Sequence, residues 1–145
     1  MPAVDTLLVC ALAGLVGALA MDLPMFLMPE GFTPAYVAAS KLLRKPIDDV
    51  SQVAAQAVHH VTGVLGGAGL GVAILVLEPR LGLWSTVILA TTVLTVFIIN
   101  VFGFLVLPRA GFDADRREAV FQQWLFSAVV YGVVVAAVTL SLLPV

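Results

Sequence analysis

The sequence predicts an all-α membrane protein: a four-transmembrane-helix bundle, read as two tandem helical hairpins, with a short interfacial helix in the first loop. Three observations predict it. Of 145 residues, 61% are apolar and only 11% charged, where a soluble domain carries about 45–50% and about 25%. Four apolar stretches each reach the length of about 20 residues that crosses a bilayer core. Nearly all the charge and the turn-forming residues fall between them. A soluble fold of this size cannot hide so much apolar surface behind a charged exterior, which excludes an independent cytoplasmic enzyme.

The first span is expected at about Thr6–Met28. Met1 to Asp5 contain no Lys or Arg, so this stretch is read as a mature span and not as a cleavable signal, although Ala18-Leu19-Ala20 resembles a cleavage site. The single cysteine, Cys10, lies inside it and reads as a small buried hydrophobe. The first loop holds a second element. Thr33-Pro34 is a cap-then-proline helix start and Pro46 a stop, giving an interfacial helix over about 34–45. Tyr36, Ala39 and Leu43 share one face; Lys41, Arg44 and Lys45 share another, where they would anchor the helix at lipid phosphates.

The second span is expected at about Gln52–Leu77, the third at about Trp84–Leu107 and the fourth at about Ala119–Leu143. Glu78-Pro79-Arg80 reads as the turn between the second and third. Asp49 with Gln52, and Asp115 with Glu118, have capping-box spacing before the second and fourth spans. Backbone groups in lipid must be satisfied internally, so runs this long are helices. The six basic residues Lys41, Arg44, Lys45, Arg109, Arg116 and Arg117 lie in the first and third loops, against Arg80 alone in the second. By the positive-inside rule loops one and three are cytoplasmic and both termini face outward.

The two halves resemble one another. Phe26 to Phe32 ends the first span much as Leu105 to Phe112 ends the third, and polar pairs follow the caps: His59-His60 in one half, Gln122-Gln123 in the other. Parallel repeats of this kind occur in some carriers. Within the second span Gly63, Gly67 and Gly71 recur at i, i+4, i+8, a glycine-zipper spacing, and Gly14 and Gly17 offer a small-residue stripe in the first. Such stripes let membrane helices approach closely. The motif is compatible with packing inside the bundle and with a homodimer seam.

Polar side chains inside the spans are the candidates for function. Asp22, His59, His60, Asn100, Gln122 and Gln123 fall at one depth, and Gln52, Gln56, His59 and Gly63 share a helix face. An isolated carboxylate in lipid costs several kcal/mol, so Asp22 is expected to meet His59 or His60, supported by Asn100, Gln122 or Gln123. The cluster reads either as interhelical hydrogen-bond glue or as a proton- or ligand-responsive site. Met21, Met25 and Met28 at i, i+4, i+7 allow a Cu(I) site but read as core filler. Haem held by two histidines is disfavoured, since adjacent positions point about 100° apart on a helix. No His/Cys/Glu zinc spacing, phosphate loop or Ser-His-Asp set is present. The expectation is therefore no metal, no cofactor and no enzymatic activity.

The Met21-Asp22-x-Pro24-Met25 element, the basic loop leading to Pro46 and Asp48-Asp49, and His59-His60-Val61-Thr62-Gly63 followed by further glycines resemble small uncharacterised membrane protein families of the domain-of-unknown-function kind. Such families are common in halophilic archaea, and the acidic loop Gly111 to Asp115 with only two lysines suits that origin. The resemblance covers roughly the first half of the chain. It implies a prokaryotic plasma membrane and little more; a setting beside respiratory complexes is a separate hypothesis. With a net charge of −2 the chain offers no field for nucleic acid. The expected partners are the bilayer and other membrane subunits or further copies of the chain. The expected function is an accessory or assembly subunit packing against other membrane helices; the alternative is a homo-oligomeric carrier or channel for a proton, ion or small solute using Asp22 and His59.

Overall fold

The computed structural model describes residues 2–143. Its helices are α1 (Ala3–Leu27), α2 (Thr33–Leu43), α3 (Gln52–Leu81), α4 (Leu83–Asn100) and α5 (Ala114–Leu142). There is no strand among the described residues. Four helical stretches, α1, α3, Leu83–Ala110 and α5, are long and apolar enough to cross a membrane. This is the organisation of a multi-pass membrane protein. α1 packs against α3 and α5, and α4 packs against the same two.

The end of α1 agrees with the expected span, whereas the end of α3 and the caps of α3 and α5 differ from expectation. α1 runs through Pro24 to Leu27, since a proline removes only its own N–H bond and the next turn still closes, with Met28 N–H donating to the Pro24 carbonyl. α3 likewise continues through Glu78-Pro79-Arg80, which is helix and not turn. The reversal is made by Gly82 alone, at φ 74°, a left-handed backbone that only glycine takes without strain. The caps also sit elsewhere. Ser51, not Asp49, accepts the Ala54 N–H at the start of α3, because Asp49 lies in a separate short turn, Ile47–Asp49. Asp113, not Asp115, caps α5 through Oδ1 and the Arg116 N–H at 2.9 Å.

α2 buries one face against the other helices. Pro34, Ala35, Val37, Ala39 and Ser40 are buried, Tyr36 is half-buried, and Leu43 is exposed. Its small residues let it lie against α3. Lys41 reaches across to the third loop, donating to the Arg109 carbonyl at 2.7 Å, and Arg44 closes the helix in left-handed backbone at φ 54°. Arg44 and Lys45 remain exposed. The Glu30 carboxylate accepts from the Arg116 guanidinium at 2.8 and 3.2 Å and from the Thr33 hydroxyl. Both links join the first and third loops.

Beyond Asn100 the third span changes winding, to a π turn at Val101–Val106 and a tight turn at Leu107–Ala110. Gly103 makes room there for the Phe121 ring of α5, whose Cδ2 a Cβ would meet at 3.1 Å. Single π turns are frequent beside functional sites.

Candidate functional site

The site is built by the register of α1 on α3. The helices are antiparallel, and their facing residues pair in steps of four: Cys10 with Gly71, Gly14 with Gly67, Ala18 with Gly63, and Asp22 with His59. A Cβ on Gly67 would lie 2.8 Å from both the Cα and the N of Gly14, and a Cβ on Gly71 would lie 3.2 Å from that of Cys10. Only glycine permits backbones so close. The Gly14, Gly63, Gly67 and Gly71 stripe is thus used within the chain, while Gly17 faces Tyr131 and Val135 of α5. Tyr131 ties α5 to the same layer, its hydroxyl donating to the Gly63 carbonyl at 2.8 Å.

One further turn along this register brings three titratable side chains together. His60 Nε2–H donates to Asp22 Oδ2 at 2.9 Å. His59 Nε2 lies 3.4 Å from Asp22 Oδ1, but its hydrogen bond goes to the Ala18 carbonyl at 3.2 Å. A carbonyl only accepts, so His59 carries its proton on Nε2 in this arrangement. Asp22 Oδ1 is left buried with no hydrogen-bond partner. The side chains of His59, Asp22 and His60 are 6%, 15% and 24% exposed. Their potential ligand atoms all lie within 4.8 Å of one another, the one such group of His, Cys, Asp or Glu among the described residues.

The adjacent histidines converge although helix geometry splays them. Asp22 stands in the groove between the two directions, and the long imidazoles reach it from either side, with ring centroids 5.1 Å apart. The third side chain comes from another helix, so no spacing motif within one segment announced it. Three side chains of metal-ligating type thus come together where the spacing within any one segment shows none.

The rest of the expected cluster is elsewhere. Asn100 is exposed and donates to the Val96 carbonyl of its own helix at 2.7 Å. Gln122 is exposed and donates to Glu118 at 3.0 Å. Gln123 accepts the Glu30 N–H at 2.8 Å, holding the turn after α1. These residues share a rough depth with Asp22 but project from other helix faces, so the likeness of the two halves does not extend to the site. Met21 and Met25 are buried core residues, whereas Met28 lies past the helix end in extended backbone, which breaks the i, i+4, i+7 register.

With the helices centred in a bilayer, the site would lie near the membrane boundary. α3 has 30 residues, about 45 Å at ~1.5 Å per residue, against a hydrocarbon core of about 30 Å. His59, seven residues after Gln52, is roughly 10 Å along it, hence about 3 Å inside the core of a centred helix. Asp22, five residues before the end of the shorter α1, falls at about the same depth. Beside His59 a cavity of about 220 Å³ is lined by Met21, Gly66, Leu94, Phe102, Trp124 and Tyr131, among others. The indole N–H of Trp124, one of these lining residues, is buried without a partner. The π turn supplies Val101, Phe102 and Val106 to this wall.

Comparison with protein-family models, curated proteins and solved structures gave no match.

Proposed function

We propose that this chain is a carrier or channel subunit that binds a cation at Asp22, His59 and His60 and acts as a homo-oligomer. The observation that carries this reading is the unpartnered Asp22 oxygen held against two imidazoles close to the hydrocarbon boundary. Leaving a carboxylate oxygen unsatisfied in this setting costs several kcal/mol, and a bound cation offsets that cost. Four spans alone leave little room for a pathway, so a second copy is required to complete one.

The least covered span supports an oligomer. In its most apolar window Leu83–Ala110 is 17% buried, against 39% for α1. The same face also favours a second reading, an accessory or assembly subunit of a larger membrane complex, with a foreign helix in place of the second copy. The stripe of Gly14, Gly63 and Gly67 gives that reading less support, being used between α1 and α3.

The setting proposed is a prokaryotic plasma membrane with both termini outside. The contacts of Lys41 with Arg109 and of Glu30 with Arg116 support placing the two basic loops on one side, the cytoplasmic side by their charge. Arg44 and Lys45 are then the lipid-facing anchors. Reconstitution into liposomes tests the function. Proton or metal-ion flux that Asp22→Asn abolishes is expected; a chain that purifies in mild detergent with foreign subunits and carries no flux would favour the accessory reading.

A further inference from the structure

We infer that the cation taken at this site is a divalent first-row transition metal ion of the zinc class, bound by the Asp22 carboxylate and the Nε2 atoms of His59 and His60. This rests on the reading of the cluster as a cation site and names the ion.

Donor chemistry makes the first selection. One carboxylate and two imidazoles are the ligand types of Zn²⁺ and its neighbours, whereas Ca²⁺ and Mg²⁺ require mostly oxygen ligands in larger number. Cu(I) calls for thioethers or thiolates, and Met21 and Met25 are core residues. Geometry makes the second. Bonds of about 2.0–2.2 Å around a tetrahedral ion set its ligand atoms about 3.3 Å apart. Asp22 Oδ1 and His59 Nε2 already stand 3.4 Å apart, and Asp22 Oδ2 and His60 Nε2 2.9 Å. One ligand atom can be taken from each of the three side chains so that all lie within 4.8 Å of one another, and drawing such a set in to the tetrahedral edge takes about 1.5 Å at most, within reach of side-chain rotation.

Asp22 Oδ1 is the second, independent observation. It is buried and accepts no hydrogen bond, so one lone-pair direction of the site is already free for an ion. Binding requires each imidazole to present a bare Nε2, with its proton on Nδ1. His59 therefore exchanges its hydrogen bond to the Ala18 carbonyl for the metal bond. Three protein ligands leave a fourth position for water or an exchanging group, the arrangement of a zinc site that is not purely structural. The close seam of Gly14 and Gly67 holds α1 and α3 in the register that aligns these donors before the ion arrives.

The test uses the full-length chain in lipid nanodiscs titrated with Co²⁺, whose visible d–d bands report tetrahedral coordination, followed by displacement with Zn²⁺. The expected result is one ion per chain, displaced by Zn²⁺ and not by Mg²⁺. Asp22→Asn and His60→Gln should each weaken Zn²⁺ binding by about tenfold or more, since even an outer partner of a metal ligand is worth about that. Gln122→Ala should bind as the parent does. Absence of a tetrahedral Co²⁺ spectrum in the parent chain overturns the inference, as does undiminished Zn²⁺ binding in folded Asp22→Asn. Asp22-dependent proton flux without Zn²⁺ binding overturns the metal assignment and leaves the cation-site reading standing; the absence of both overturns both.

Discussion

Replacing Gly67 by alanine probes the contact on which the site depends. The new Cβ would lie 2.8 Å from the Gly14 Cα and N, and closer still to the Cys10 carbonyl oxygen. Carbon atoms rest at about 3.5–4.0 Å, so α1 and α3 must part by about 1 Å in that layer. The obstacle is backbone on both sides, which no rotamer change relieves. Overpacking of this kind costs about 1–3 kcal/mol, while alanine in place of glycine returns up to about 1 kcal/mol of helix propensity. Gly69 isolates the second effect, because nothing lies within 4 Å of its added Cβ. Gly67→Ala is therefore expected to be less stable than Gly69→Ala by about 1–3 kcal/mol, read by reversible unfolding in mixed micelles. Metal binding at Asp22 should weaken in the first variant and stay at the parent value in the second, since α1 carries Asp22 with it. Equal stability of the two variants would refute the close-packed register.

Three further outcomes are expected. Tyr131→Phe removes the bond to the Gly63 carbonyl and should cost about 0.6–1.5 kcal/mol; a variant as stable as the parent would mean that this bond does not hold α5 to the seam. Desolvation raises the Glu30 pKa, but the Arg116 and Thr33 hydrogen bonds and the Arg116 charge outweigh it and hold the carboxyl below its ordinary 4.5. A depressed folded pKa means that the stabilisation is present above about pH 4.5 and lost as pH falls through the folded value. Arg116 is 47% exposed, so the pair is worth only about 0.2–1 kcal/mol after screening. The stability difference between parent and Glu30→Gln should accordingly be full above about pH 4.5 and shrink as pH falls below it, and a difference that does not shrink on acidification would exclude the ion pair as its source. A C-terminal reporter active only in the cytoplasm should be silent; activity would reverse the assigned orientation.

Hydrophobic run length is a local property, and it sufficed to locate four spans and to single out Asp22 and His59 as polar residues within them. Local properties also misplaced some boundaries. Pro79 reads as a turn former, yet the reversal falls at Gly82, and a capping-box spacing at Asp49 is overridden because the chain enters α3 only after Ser51. What met what was decided in three dimensions. Asp22 and Asn100 lie at similar sequence depth, but Asp22 faces α3 while Asn100 faces outward, since the rotation of a helix about its axis is set by packing against its neighbours. The meeting of Asp22 with both histidines depends on the axial offset of α1 against α3, fixed where Gly14 and Gly67 touch. The sequence by itself determined the spans, the small residues and the chemistry available. Only the tertiary structure decided which donors converge, because convergence requires the rotation and offset of two separate helices, and neither is written in the periodicity of either one.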